Sequence, residues 1–222
     1  PYTTPTNQRY DSGEYDRALT KALGLAGIDQ LRREQKERLQ RNDRTLLGIG
    51  QGVYVEMCGF GPYESAVVRV EPSGTVTAYT GTSAHGQGHE TTFAQIIADH
   101  LGVDFDKIVV RHGDTAAVQM GNGTGGSRSL AVGGTAILNA TMKVQEKARR
   151  IAASMLEAGF EDIVLESGRY QVKGAPTKAL GLAEIAAMAH GETLAAGLQH
   201  GLEASDFFRP PQLVYPFGAH VA

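Results

Sequence analysis

Several residue types that define common protein classes are scarce in this sequence of 222 residues. It has no tryptophan and one cysteine, Cys58, so it contains no internal disulfide. A single thiol cannot by itself hold an iron-sulfur cluster or a structural zinc ion. Cysteine this rare fits a reducing compartment, and we predict a cytoplasmic location.

Long apolar runs and an excess of one charge are also missing. No run approaches the roughly 18 residues of a membrane span, and the first residues, PYTTPTNQRY, do not follow the plan of a signal peptide. The net charge of -3 gives no basic footprint for nucleic acid. We therefore predict a small-molecule substrate, no nucleic-acid partner and no membrane span. Because the sequence begins without methionine and ends in the apolar stretch YPFGAHVA, we expect it to be part of a longer chain.

The spacing of apolar residues predicts an α+β fold, in which strands of a mixed sheet pack with helices. Residues 1–44 form a polar, helical lead-in, and residues 45–222 form the main subdomain, which we expect to be incomplete at its C-terminus. Alternating runs predict strands within residues 46–57, 65–70, 75–81 and 107–115 and a hairpin within 162–174. The segment EPSG, residues 71–74, predicts the turn of another hairpin between the second and third of these strands. Helical spacing predicts helices over residues 89–102, 127–159 and 180–190, with Gly133 and Gly134 in close packing.

Two glycine-rich loops each precede a predicted helix. The first contains GQGH, residues 86–89, and the second is GNGTGGSRS, residues 121–129. The N-terminus of a helix has free backbone N–H groups and attracts anions, and glycine lets a phosphate approach closely. Arg128 adds a guanidinium that can bind phosphate through two parallel hydrogen bonds. The pair would suit an extended ligand with a pyrophosphate, although either loop alone could be a tight turn.

Two other interpretations of these residues are weaker. Gly121, Gly123 and Gly126 spell the GxGxxG pattern of nicotinamide-binding folds, but no strand leads directly into it and the acidic residue downstream, Glu146, falls inside a predicted helix. His85 and His89 are four residues apart, yet glycines lie between them and no third ligand is near. We therefore predict no metal bound directly by protein side chains, and a nicotinamide-binding enzyme remains an alternative.

Three segments in one order, GTSAHGQGHETTFAQIIADHLGV, VVRHGDT and GNGTGGSRSLAVGGTAI, closely resemble the molybdenum-cofactor-binding large subunit of the xanthine dehydrogenase and aldehyde oxidase family. Within it they are most similar to the bacterial branch of aerobic carbon monoxide dehydrogenase. The resemblance implies part of the molybdopterin-binding domain. It also implies molybdopterin with molybdenum, in the cytosine dinucleotide form common in bacteria, and iron-sulfur clusters and FAD on partner subunits.

The resemblance also implies roles for individual residues. It places Gly86, Gln87 and Gly88 against the pterin and the ligands around molybdenum. It places the second loop against pterin and phosphate, through Thr124, Gly125, Gly126, Ser127, Arg128 and Ser129. Asp114 and Thr115 either reach the cofactor or form a turn. His85 and His89 could contact cofactor or substrate, and His89 could equally cap or pack its helix.

The function implied is oxidative hydroxylation of a small molecule with water as the oxygen source. The family's catalytic base lies in a Gly-x-Gly-Glu segment that is absent here, so no catalytic residue is predicted, and Glu90 is expected to complement a helix dipole. The chain alone is therefore expected to be inactive without the remaining segments of the large subunit. A structural or interaction module that binds no cofactor is the competing hypothesis.

Overall fold

The computed structural model describes residues 2–118, 120–191 and 194–222. The α-helices in these residues are α1 Tyr15–Ala26, α2 Ile28–Gln40, α3 His89–Leu101, α4 Thr135–Met155 and α5 Leu182–Ala189. The strands are β1 Tyr2–Thr3, β2 Arg9–Tyr10, β3 Gln51–Val55, β4 Glu64–Val70, β5 Val76–Thr80, β6 Ile108–Arg111, β7 Ile163–Glu166, β8 Arg169–Val172, β9 Ala175–Gly181, β10 Leu202–Phe208 and β11 Phe217–Val221. A π-helical segment, Ser129–Gly134, leads directly into α4.

The chain divides into two compact units, one formed by residues 1–58 with 212–222 and the other by residues 59–211. The division does not fall at the predicted boundary between residues 44 and 45, because β3 pairs antiparallel with the distant β11. The assignment of residues 1–44 as a lead-in and 45–222 as the binding subdomain stays a prediction about the whole subunit.

The smaller unit contains the predicted polar helices. α1 and α2 meet at Gly27, whose φ of 66° ends the first helix in the left-handed region that glycine adopts without strain. Tyr15 of α1 packs edge-on against Phe217 of β11, with ring centroids 4.9 Å apart. No residue of either helix is fully buried, as their many charged positions predict.

The larger unit is built on a mixed sheet with the strand order β10-β4-β5-β6. β4 and β5 form the predicted hairpin around the turn at residues 71–74, where the Gly74 N–H donates to the Glu71 carbonyl at 2.8 Å. β5 and β6 run parallel, joined by α3. β10 was not predicted, because its sequence LEASDFF has acidic and small residues in place of a clear apolar alternation.

The core of this unit lies where α3 and α4 pack against the sheet. Val68 and Val70 of β4, Ile97 of α3 and Val144 of α4 are fully buried in it. The predicted close packing at the start of the long helix is confirmed, since a Cβ atom on Gly133 would lie 2.5 Å from Cγ2 of Thr82. Burial of these side chains fixes α3 and α4 relative to the sheet, and with them the loops that precede each helix.

A second sheet, β7-β8-β9, and α5 complete the larger unit. The predicted hairpin is confirmed as β7 and β8, whereas β9 was missed because proline and lysine weaken the strand pattern of APTKALG. The observed α+β architecture agrees with the predicted fold class. Because β5 and β6 are parallel neighbours, the loops that follow both strands emerge at the same edge of the sheet.

Candidate functional site

The first glycine-rich loop follows β5 and ends at the first residue of α3. Gly86 and Gly88 have φ values of 98° and 77°, a conformation that residues with a Cβ atom rarely adopt. Gly88 is the N-cap of α3, so the turn places Gln87 directly before the helix N-terminus. Glycine therefore stands on both sides of Gln87 because the turn into α3 needs a positive φ at both positions.

The structure brings this loop together with the second glycine-rich loop in one cleft of about 500 Å³. Gln87 contributes to one wall, together with the neighbouring His85 and His89. The other lining residues are the run Thr124 to Leu130, which contains all six predicted residues of the second loop. None of the residues that line this cleft is acidic.

The side chain of Gln87 folds back onto its own loop. Its Oε1 atom accepts a hydrogen bond from the backbone N–H of His85 at 2.5 Å. With the oxygen engaged in this way, the amide NH₂ is the part of the side chain that can donate to a ligand.

The second loop turns sharply into the helix that follows. Gly126 and Ser127 have φ values of 57° and 50°, and the π-helical segment begins two residues later at Ser129. The Ser129 hydroxyl donates to Oγ1 of Thr124 at 3.0 Å, which ties the two ends of the loop together. The first N–H groups of a helix have no intrahelical acceptor, so they are available to an anion in the cleft.

The guanidinium of Arg128, which was predicted to bind phosphate, forms several contacts within the chain, although Arg128 does line the cleft. The side chain is buried and forms an ion pair of 2.8 Å with the fully buried Glu64. It also donates to the carbonyl oxygens of Phe60, Tyr63 and Gly123. Four of the five N–H donors of arginine are thus used inside the protein. Most of the guanidinium is therefore engaged within the chain, and a contact of Arg128 with the cofactor stays a prediction.

Glu64 was missed by the sequence analysis, although it anchors the second glycine-rich loop. Its carboxylate accepts from the backbone N–H of Asn122 at 3.2 Å as well as from Arg128. Gly81 and Gly121 pass so close to it that a Cβ atom on Gly81 would lie 2.1 Å from Glu64 Oε1. The available signal was a glutamate at the head of the apolar run SAVVRV, where a buried charge requires a partner.

Asp114 and Thr115 lie in a separate cleft of about 260 Å³, which also includes Thr80 and Gly81 at the end of β5. Asp114 forms a turn, since its Oδ1 atom accepts from the N–H of Ala116 at 2.9 Å. The turn-forming alternative is therefore present, and a contact of these two residues with the cofactor stays a prediction. The cleft sits at the carboxyl ends of two parallel strands, where ligands commonly bind in α/β sheets.

The residues at the start of α3 have unequal environments. His89 is only 8% exposed and stacks on Phe93, and burial lowers its pKa below the usual value. Glu90 is about half exposed and accepts a hydrogen bond of 2.7 Å from Nε2 of His112, which lowers the pKa of Glu90. This pair links the helix that follows the first loop to the segment that precedes Asp114.

Two further properties of the described residues concern metals and membranes. Across residues 2–118, 120–191 and 194–222, no group of three or more histidine, cysteine, aspartate or glutamate side chains is arranged to hold a metal ion. None of the helices described there is both long and apolar enough to cross a membrane.

Comparison with known proteins identifies the family. The sequence profile of the molybdopterin cofactor-binding domain matches residues 21–222. The chain belongs to this family. The match gives no support to the alternative of a nicotinamide-binding enzyme. It confirms the resemblance that the three segments indicated.

The relatives and solved structures agree with this assignment. The carbon monoxide dehydrogenase large chain of Hydrogenophaga pseudoflava is 42% identical and aligns with 100% of this chain and 29% of its own length. The nicotine 6-hydroxylase large subunit of Paenarthrobacter nicotinovorans is 30% identical over 99% of this chain and 28% of its own length. The crystal structure of a Cu,Mo-CO dehydrogenase superposes with a TM-score of 0.89 at 39% identity, over 99% of this chain and 29% of that chain. Quinoline 2-oxidoreductase from Pseudomonas putida 86 gives a TM-score of 0.88 at 34% identity, over 100% and 30%. The chain thus spans less than a third of the length of these proteins.

Proposed function

We propose that the cleft between the two glycine-rich loops holds a molybdopterin cofactor in its cytosine dinucleotide form, as part of the large subunit of a molybdenum hydroxylase. The observation that carries the proposal is the meeting of Gln87 with the run Thr124 to Ser129 in one cleft. Two helix N-termini border this cleft, and its lining residues include no carboxylate. Such a set of donors is complementary to a pyrophosphate.

The glycines that line the cleft test whether its shape fits a bound ligand. Gly125 has no positive φ, and a Cβ atom on it would have no protein atom within 4 Å. Neither backbone conformation nor packing within the chain therefore requires glycine at this position. Close approach of a ligand supplies the missing reason, because a Cβ atom would enter the space that the ligand fills. Gly126 differs, since its φ is 57° and a Cβ atom would lie 2.9 Å from the Phe60 ring.

The residues of this chain would hold and orient the cofactor. Gln87 would donate through its amide, the backbone N–H groups at the start of the π-helical segment would bind phosphate oxygen, and Thr124 and Ser129 would contribute hydroxyls. When bound, the cofactor would supply molybdenum, whose chemistry is the hydroxylation of a small substrate with oxygen from water. Asp114 and Thr115 extend the proposed contact surface into the neighbouring cleft.

The whole enzyme is proposed to need parts beyond this chain. These are the remaining segments of the large subunit and partner subunits with iron-sulfur clusters and FAD, which would accept the electrons. We keep the cytoplasm as the proposed location on the basis of the single cysteine, and cell fractionation tests it. The chain alone is proposed to lack hydroxylase activity, and dye-linked oxidation of carbon monoxide, aldehydes and N-heterocycles is the assay.

The decisive experiment compares Gly125→Ala with Gly48→Ala in the full-length subunit. Gly48 is a matched control, because it too lacks a positive φ and has no protein atom within 4 Å of a Cβ position. We expect the wild type and Gly48→Ala to contain molybdenum and to release a cytosine nucleotide in acid. Gly125→Ala should contain several-fold less of both while unfolding at the same temperature.

Two results would contradict the proposal. Equal molybdenum content in the two variants would mean that Gly125 does not face the cofactor. A wild-type subunit that contains neither molybdenum nor nucleotide would support the competing hypothesis of a structural module.

A further inference from the structure

His89 has an unsatisfied nitrogen beside the cleft. It is the first residue of α3 and is 8% exposed, and its ring lies 5.6 Å from the ring of Phe93 at an angle of 22°. Its Nδ1 atom is buried and has no hydrogen-bond partner among the described residues. The same side chain lines the cleft between the two glycine-rich loops.

Packing alone does not explain a histidine at this position. A buried polar atom without a partner costs roughly 1–3 kcal/mol, whereas a phenylalanine would stack on Phe93 without that cost. Capping does not explain it either, since the N-cap residue is Gly88 and His89 lies inside the first turn. A hydrogen bond from the other ring nitrogen to a ligand in the cleft would offset this cost.

The surroundings fix which nitrogen carries the proton. Burial is the main cause that lowers the pKa of His89, and the nearby His112 and His85 lower it further while Glu90 opposes them. The ring is therefore neutral at pH 7 and has one N–H group. An N–H at Nδ1 would have no acceptor among the described residues, which leaves Nε2 as the nitrogen through which this cleft-lining side chain can donate. The favoured tautomer thus has its proton on Nε2.

We propose that His89 binds an anionic oxygen of the ligand in the cleft by donating a hydrogen bond from Nε2. This inference rests on the proposed function, in which the ligand has a pyrophosphate. His89 then completes a set of donors with the Gln87 amide and the backbone N–H groups at the start of the π-helical segment. A neutral imidazole suits this place, because the positive dipole ends of the two helices would repel a protonated, positively charged ring.

The tautomer can be measured directly. Nitrogen-15 NMR of the chain labelled at histidine should show His89 protonated at Nε2, and titration with inorganic pyrophosphate or with cytidine diphosphate should shift the Nε2 signal. A His89 protonated at Nδ1, or an Nε2 signal that neither probe moves, would overturn the proposal. A response to cytidine diphosphate that exceeds the response to pyrophosphate would identify a nucleotide as the source of the anion.

Variants separate binding from packing. His89→Phe should weaken binding of both probes about 2- to 10-fold, the effect of one lost hydrogen bond, and should leave the chain as stable as the wild type or more stable. His89→Gln, which retains a donor, should bind more tightly than His89→Phe. His100→Phe, in the last turn of the same helix, is the control and should bind like the wild type.

The outcomes distinguish this inference from the function on which it rests. If the wild type binds the probes and His89→Phe binds them equally well, His89 has only a packing role and the proposed cofactor cleft stands. If the wild type binds neither probe and the full-length subunit contains no molybdenum, both proposals fail.

Discussion

Loss of the Arg128 guanidinium should mainly lower the stability of the larger unit, and any effect on ligand binding should follow from that loss. The side chains of Arg128 and Glu64 are 5% and 0% exposed and are 2.8 Å apart. Removal of one partner from a buried pair leaves an uncompensated charge and costs about 3–5 kcal/mol. Arg128→Ala would also remove donors from the carbonyls of Phe60, Tyr63 and Gly123, so we expect the upper part of that range.

A surface arginine provides the matched control. Arg150 pairs with Glu146 on α4, and both side chains are about half exposed. Such pairs contribute about 0–1 kcal/mol. The Arg150 guanidinium also lies 4.8 Å from the centroid of the Phe160 ring, and an exposed contact of this kind contributes about 0.5–1 kcal/mol, so Arg150→Ala should lower the free energy of unfolding by less than about 2 kcal/mol. Urea denaturation followed by far-ultraviolet circular dichroism measures both variants.

A double-mutant cycle tests the cause. Arg128→Met combined with Glu64→Gln leaves no unpaired charge, so the double variant should lose less stability than the sum of the two single variants. The reasoning would be refuted if Arg128→Ala cost no more than Arg150→Ala, or if the two single effects were simply additive. In that event the guanidinium would be free to serve the ligand, as the sequence first suggested.

Two other changes have outcomes that follow from the structure. Gly81→Ala should strongly lower the thermal unfolding temperature of the larger unit, because its Cβ atom would overlap the buried carboxylate of Glu64. Gly86→Ala should have a smaller effect, because no atom lies near its Cβ position and only the strain of a positive φ remains. Glu90→Gln should cost less than about 1 kcal/mol at neutral pH, because water partly screens the pair with His112, in which Glu90 is about half exposed. Since hydrogen bonding to His112 lowers the pKa of Glu90, the contribution of this pair is present above the ordinary glutamate pKa and is lost as pH falls through the lowered value. Glu90→Gln should thus flatten the acid side of a plot of stability against pH, and an unchanged plot at low salt would refute the assignment.

The sequence determined the features that depend on near neighbours. The apolar spacing of α3 and its end at Gly102, with φ of 66°, are properties of a short segment and were predicted correctly. The hairpin turn at residues 71–74 and the positions of both glycine-rich loops also depend only on short segments of sequence. The order of these loops also identified the family, because the residues that shape a ligand-binding turn stay together in sequence.

Only the tertiary structure decided which distant residues meet. The pairing of β3 with β11 and of β10 with β4 joins segments whose own patterns do not specify a partner. The same holds for Arg128, whose position beside a loop glycine suggested phosphate but whose partner is Glu64, and for Asp114, which lies in a different cleft from Gln87. Which residues become partners depends on the tertiary fold, because it brings together segments that are far apart in sequence. Once the fold buries Arg128, the residue needs an internal ion pair, because a buried charge without a partner is strongly destabilising.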